Sequence, residues 1–307
     1  MRFSIVTTLY YSAPYIEEFY QRIKTTVQAI TPHYEIIFVN DGSPDDSLEK
    51  AIKFHEQDDK VKIIDLSRNF GHHKAIMTGL AHAKGDLVFL IDSDLEEEPE
   101  LLETFYEEFG KSPTDVVYGV QKTRKGERFE RISGKIYYFL FNLLTGYNAE
   151  ANVLTARLMS KNYVKALVEH KEQEFDIMGL WSLTGFKQSA VIVNKNFKGT
   201  SVYNFRRKTS LFINTVTAFS SRPLLGMFAL GTIIFAASGF TFFLLLFINW
   251  FISEVEGWKL VAASVWTLGG LIIICLGTLG IYISKIYIET KRRPYTIIRK
   301  IYGNDEI

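Results

Sequence analysis

The sequence predicts an α/β protein: a doubly wound domain built on a mostly parallel sheet, followed by a two-helix transmembrane hairpin. Three observations carry this. Short apolar runs alternate with helix-period runs over residues 3–120. Two later stretches, 224–252 and 260–284, contain no charged residue. One apolar run ends in Asp92-Ser93-Asp94, a pair of carboxylates spaced i, i+2.

The elements follow in order. Residues 3–9 read as a strand, and 14–30 as a helix with Pro14 in its first turn and Ile16, Phe19, Tyr20, Ile23 and Val27 at helical spacing. A second apolar strand, 34–40, is closed by Asp41-Gly42-Ser43-Pro44, a turn that also opens the next helix. Strand 61–66, helix 73–83, strand 86–91, helix 99–109 and strand 115–120 complete the alternation. Such βαβ units imply right-handed crossovers and a mostly parallel sheet. Residues 132–147 crowd Tyr, Phe, Leu and Ile near Lys135. They read either as a core helix or as an interfacial helix resting on a bilayer, and 205–219 as a second of the latter kind.

Each uncharged stretch exceeds the roughly 20 residues that span about 30 Å of hydrocarbon. The connector 253–259 makes them a hairpin, and Trp250 and Trp258 stand where an aromatic belt belongs. Basic residues flank it: Arg206, Arg207, Lys208 and Arg222 before, Lys285, Lys291, Arg292, Arg293, Arg299 and Lys300 after. The positive-inside rule then puts both termini and the N-terminal domain on the cytoplasmic side of the plasma membrane. The expected divisions are a catalytic domain over 1–200, a juxtamembrane segment over 201–223, the hairpin over 224–284 and a basic cytoplasmic tail over 285–307. A formal net charge of +1 argues against nucleic acid as a partner. The single cysteine, Cys275, excludes a disulfide framework within the chain and suits a reducing cytosol. The N-terminus enters a strand-like run directly, with no secretory signal pattern.

The chemistry is expected along one rim. Open α/β sheets bind ligands at the carboxyl ends of their strands. On a continuing strand, residues i and i+2 share a side, so Asp92 and Asp94 would face one ion. Oxygen ligands select Mg²⁺ or Mn²⁺, which would bridge to phosphates. Asp41 closes the second strand and suits either a ribose or base contact or a structural role as a helix cap or turn residue. Ser67-Arg68-Asn69-Phe70-Gly71-His72-His73-Lys74 brings polar and cationic groups to the same rim. Adjacent histidines at a helix start point in different directions, which favours polar packing over metal ligation.

Several motifs occur together in order: Ser4-Ile5-Val6, Val39-Asn40-Asp41-Gly42-Ser43, Ser67-Arg68-Asn69-Phe70-Gly71, Ile91-Asp92-Ser93-Asp94-Leu95, Arg157-Leu158-Met159 and Arg293-Pro294. With the terminal hairpin they resemble the polyprenyl-phosphate glycosyltransferases, family 2 enzymes of GT-A fold of the dolichyl-phosphate mannose synthase and bactoprenol glucosyltransferase type. The resemblance runs over residues 3–295. It implies inverting transfer of a sugar from a nucleotide diphosphate to a membrane polyprenyl phosphate such as undecaprenyl phosphate, in the service of cell-surface glycans. A UDP-sugar is the expected donor. It also implies Asp92 and Asp94 as catalytic metal and diphosphate ligands, helped by Glu96. Thr8, Tyr10, Asp41, Arg68 and Ser93 would form the nucleotide-sugar pocket. Arg131, Ser133, Lys135 and Arg157 would receive the acceptor phosphate. Membrane lipid is a further partner, and relatives suggest a homotetramer.

The chain departs from the family pattern at Ser12, where a Glu is usual, and at Gln121, where Arg is common. Thr155 stands where an Asp is nominated as base, and Val202 where a Lys is usual. These differences bear on the donor. They do not exclude catalysis, because a phosphate monoester with a second pKa of about 6 is already largely a dianion at neutral pH. A polysaccharide-extending membrane glycosyltransferase is the alternative reading, although no Gln-x-x-Arg-Trp motif is present. A catalytically inactive membrane scaffold subunit is the third.

Overall fold

A computed structural model describes residues 1–111, 113–121, 153–173, 175–193, 233, 250 and 257–303. Four strands form the centre of its sheet: β1 (Phe3–Leu9), β2 (Tyr34–Asn40), β3 (Val61–Leu66) and β4 (Leu87–Leu90). All pair in parallel, β1 with both β2 and β4, and β2 with β3. Every residue of these strands is buried, as expected where both faces of a parallel sheet are covered. The helices that cover it are α1 (Ile16–Ile30), α2 (Ser47–Gln57), α3 (His72–Ala81) and α4 (Leu101–Lys111). On α1, Ile16, Phe19, Tyr20, Ile23 and Val27 are buried as the spacing predicts. The helix starts two positions after Pro14, because the amides of Tyr15 and Ile16 both turn back to the Ser12 carbonyl.

Past β4 the sheet becomes mixed. Strand β5 (Val116–Gln121) and strand β6 (Val153–Ser160) pair antiparallel, and β6 also runs antiparallel to β4. After α5 (Lys161–Val168) and α6 (Ile177–Leu183), strand β7 (Gln188–Val193) pairs in parallel with β5. Helix α7 (Gly257–Thr290) follows, and then β8 (Ile298–Tyr302), antiparallel to β3. The strand order is β7-β5-β6-β4-β1-β2-β3-β8. The chain therefore steps outward from β1 through β2 to β3 and returns to the other side of β1 with β4. That reversal makes the carboxyl ends of β1 and β4 a topological switch point, where a ligand crevice is expected.

The sheet lies in one compact unit and α7 in another, and the residues from Arg293 onward belong to the unit of the sheet. Helix α7 is 34 residues long and exposes Trp258, Val261, Ile272, Leu276, Ile283 and Ile286. Over the described residues, no helix is long and apolar enough to cross a membrane. The expected first span, 224–252, lies outside them except for two positions, as do several side chains of α7. The stretches 132–147 and 205–219 also lie outside the described residues.

Candidate active site

The site is built from the segments that leave β1, β2, β3 and β4 on their carboxyl side. Leu9 and Asn40 are register partners, and the Asp41 amide donates to the Leu9 carbonyl at 3.1 Å. Beyond β1, Tyr10 and Tyr11 stand in solvent with their rings edge to face at 4.8 Å. Tyr11 holds φ at 56°, a conformation that a bulky residue seldom adopts, and its amide donates to Ser43 Oγ at 2.8 Å. Ser12 is buried beneath this pair, and its hydroxyl accepts from the Tyr10 amide at 3.2 Å.

Asp41 is buried at 2% exposure. Its two carboxylate oxygens accept from the amides of Phe70 at 2.7 Å and Gly71 at 3.0 Å. It thus clamps the loop after β3. Burial pushes its pKa above the ordinary carboxylate value, against the opposing pull of those two amides and of the nearby His72 and Arg68. Its structural role is that of a loop clamp and not of a helix cap. Arg68, on that loop, is exposed and lays its guanidinium over the Phe70 ring at 4.1 Å.

Gly42 locks the same contact. Its φ is +59°, and a Cβ there would meet the Asn69 nitrogen at 2.5 Å and the Arg68 carbonyl carbon at 2.6 Å. Both are main-chain atoms that cannot swing aside. Gly42→Ala should cost roughly 2–4 kcal/mol of stability through strain and displacement of the loop. Denaturant unfolding measures this, and a loss under about 0.5 kcal/mol would mean the loop is not held there.

The turn after β4 corrects an expectation. The strand ends at Leu90, so Asp92 and Asp94 do not lie on a continuing strand. Asp92, Ser93 and Asp94 instead form a turn that leads into Leu95 at φ 59°. Ser93 causes the change. Its hydroxyl donates to the Thr8 carbonyl at 2.9 Å and lies 2.9 Å from Ser12 Oγ, which pins the middle of the turn onto the end of β1. Ser93 is buried at 4% while Asp92 and Asp94 are half-buried on either side. The Ser93 side chain shapes the turn.

Asp94 Oδ1 accepts from the Glu96 amide at 2.9 Å, which closes the turn locally. Asp92 Oδ1 lies 3.4 Å from His72 Nε2, and the other ring nitrogen of His72 lies 3.1 Å from Thr8 Oγ1. His72 therefore belongs to the site, bridging the ends of β1 and β4. The polar packing read for the two histidines holds, with a candidate acid as the partner. His73 lies next to it, 3.8 Å from Asp176. Burial depresses the His73 imidazole, against the opposing charge of Asp176.

Among the described residues, no three acidic, His or Cys side chains gather into a metal cage. A Mg²⁺-type ion needs none, because it is commonly held by one or two carboxylates together with substrate phosphates. Two half-buried carboxylates on one tight turn at the switch point fit that donor set. Asp92 and Asp94 are the residues that would hold it, with Glu96 beside them in the turn.

Glu97 and, on β6, Arg157 complete the surroundings. Glu97, 1% exposed, accepts from the amides of Thr155 at 3.2 Å and Ala156 at 2.7 Å, which ties the segment after β4 to β6. Arg157, expected among the acceptor-phosphate ligands, is 1% exposed. Its guanidinium lies over the Trp181 ring and points Nε and an Nη at the carbonyls of Thr155 and Leu154, both at 3.4 Å. Position 157 pairs with Leu90 on one side and Tyr118 on the other, so its side chain is enclosed in the sheet's packing. Burial pulls its pKa down to about 9, which still leaves a cation at neutral pH. The other expected acceptor residues, Arg131, Ser133 and Lys135, lie outside the described residues, as does Val202.

Residues 4–168 match the family described as Glycosyl transferase family 2. A protein of Mycobacterium tuberculosis (strain CDC 1551 / Oshkosh) assigned to the glycosyltransferases is 52% identical over 306 residues, 99% of this chain and 90% of its own length. The bactoprenol glucosyl transferase of Shigella phage SfII is 30% identical over 310 residues, 99% of this chain and 100% of that one. Among solved structures, glucosyl-3-phosphoglycerate synthase from Mycobacterium tuberculosis, in complex with Mn²⁺, uridine diphosphate and phosphoglyceric acid, aligns with a TM-score of 0.52. The alignment covers 72% of this chain and 78% of that one at 16% identity, a likeness of fold.

Proposed function

The chain belongs to glycosyl transferase family 2, and on that premise we propose that it moves a sugar from a nucleoside diphosphate sugar to a membrane polyprenyl phosphate, with inversion. The observation that carries the reading is the turn Asp92-Ser93-Asp94, which presents two carboxylates at the switch point between β1 and β4. Full-length similarity to a bactoprenol glucosyl transferase supports the lipid acceptor.

A phosphate oxygen of the acceptor attacks the anomeric carbon as the bond to the donor's diphosphate breaks, and the nucleoside diphosphate leaves with the electron pair. A divalent cation, Mg²⁺ or Mn²⁺, supplies Lewis acidity to the departing diphosphate when bound. Asp92 and Asp94 would hold it, and the contact between His72 and Asp92 fixes the direction of one carboxylate. The exposed Tyr10 and Tyr11 rings and Arg68 offer a flat, cationic rim to the nucleotide, with UDP as the first candidate. An acceptor that arrives as a dianion needs little proton removal, so Thr155 at the customary position of a base is compatible with turnover.

The two uncharged stretches and the apolar residues exposed on α7 support a membrane hairpin with its basic flanks toward the cytoplasm. Incubating the full chain in detergent with undecaprenyl phosphate, Mn²⁺ and a panel of nucleotide sugars tests the proposal. Mass spectrometry of the lipid extract should show one polyprenyl-phosphate hexose or related product. No new lipid with any donor, together with no metal-dependent nucleotide binding, would refute it.

A further inference from the structure

The tail that follows α7 does not simply trail away. Its strand β8 lies along β3, and the segment just before it takes hold of the loop that Asp41 clamps from the other side. The Ser67 amide donates to the Ile297 carbonyl at 2.9 Å, and the Ser67 carbonyl accepts from Arg299 at 2.6 Å. Both main-chain groups of the first loop residue are thus held by the tail. The other end of the guanidinium lies 3.4 Å from Asp65 Oδ2.

The line of contacts continues toward the site. Asp65, nearly fully buried, accepts from Asn40 Nδ2 at 2.8 Å through its other oxygen. Asn40 Oδ1 accepts from the Ser43 amide at 3.1 Å, and Ser43 Oγ accepts from the amide of the strained Tyr11. From Arg299 to Tyr11, one ion pair and then a series of hydrogen bonds cross the ends of β3, β2 and β1 in turn.

We propose that Arg299 is a positioning residue for the nucleotide rim, acting through Ser67 on the loop after β3 and through Asp65 and Asn40 on the Tyr11 turn. The chemistry suits an arginine, because its planar fork aims one nitrogen at the carbonyl and the other at the carboxylate. The buried Asp65 carboxylate gives the exposed guanidinium a fixed anchor. A lysine at 299 would keep the charge but carry all its donors on a single nitrogen, without the fork that spans the two partners. That the rim receives a nucleotide rests on the reading in the preceding section; that Arg299 holds the rim does not.

The test therefore has a substrate-free arm. In hydrogen exchange on the full chain in detergent, Arg299→Ala should speed exchange of the Tyr11, Phe70 and Gly71 amides by about tenfold, through local opening. Amides at the centre of β1 should keep their rates, which separates a loosened rim from general destabilisation. Lys300→Ala, one position along the same strand, should change none of them. Unchanged exchange at Tyr11 and the loop in Arg299→Ala overturns the proposal, and so does uniform acceleration across the sheet.

In the second arm, UDP with Mn²⁺ is titrated into the same proteins. Arg299→Ala should weaken binding by roughly fivefold, the low end of couplings between separate positions. Arg299→Lys should recover part of the loss. Asp65→Asn combined with Arg299→Ala should lose no more than the worse single variant, whereas additive losses would deny that the two act as one unit. If the wild type does not bind UDP while the exchange pattern appears as expected, the donor assignment fails and the positioning role stands.

Discussion

Asp92→Asn and Asp94→Asn are each expected to lower transfer by about 10³-fold in kcat/KM, the scale on which stabilisation of developing charge contributes to such reactions. Both substitutions keep the shape of the side chain. In Asp94→Asn the remaining amide oxygen can still accept from the Glu96 amide, which now donates to Asp94 Oδ1 at 2.9 Å, so the turn persists. In Asp92→Asn the side chain still has an oxygen to set against His72 Nε2, which lies 3.4 Å from Asp92 Oδ1. What disappears is the charge that makes the pair a ligand for a hard cation. Chelation should produce the same loss in the wild type and add less than about threefold in either variant, because groups that act as one unit are not additive. Activity within about tenfold of wild type in both variants, with the turn intact by hydrogen exchange, would remove the metal from the scheme.

The parts of the fold that were legible are those whose burial is two-sided. Residues 3–9, 34–40 and 61–66 read as predominantly apolar strands because each is covered on both faces, and the boundaries match the observed β1, β2 and β3. The rim was legible because Asp41, Arg68 and the Asp92-Ser93-Asp94 turn each follow the carboxyl end of such a strand. Direction was not legible. Asp41 and Arg157 are both buried, at 2% and 1%, Asp41 against the amides of Phe70 and Gly71 and Arg157 against the Trp181 ring, partners that lie far from them in the chain. The end of β4 at Leu90 depends on the Ser93 hydroxyl finding the Thr8 carbonyl, a contact across 85 positions that no local period reveals. Strand β8 has the same character. Ile298-Arg299-Lys300-Ile301-Tyr302 reads as part of a basic tail, and it becomes a strand because the free edge of β3 offers it a ladder.

Glu97→Ala should be the most destabilising single change near the site, costing about 3–5 kcal/mol in denaturant unfolding. The carboxylate is 1% exposed and accepts from the Thr155 and Ala156 amides, so truncation leaves two donors of β6 without their acceptor. It also withdraws a negative charge from the surroundings of Arg157, a cation enclosed against the Trp181 ring. Glu97→Gln retains one oxygen and should lose roughly half as much, because the hydrogen bonding survives in part while the charge does not. Replacing Arg157 by Met in the Glu97→Gln protein should then recover stability, since the uncompensated buried charge is gone and an apolar side chain of similar length fills its place. A further loss of more than about 1 kcal/mol in that double variant would show that Arg157 draws its support from Trp181 and the main chain alone, independent of Glu97. The consequence for activity follows from position. Glu97 lies three residues after Asp94 and stitches that segment to β6, so Glu97→Gln should depress kcat/KM even where the protein remains fully folded.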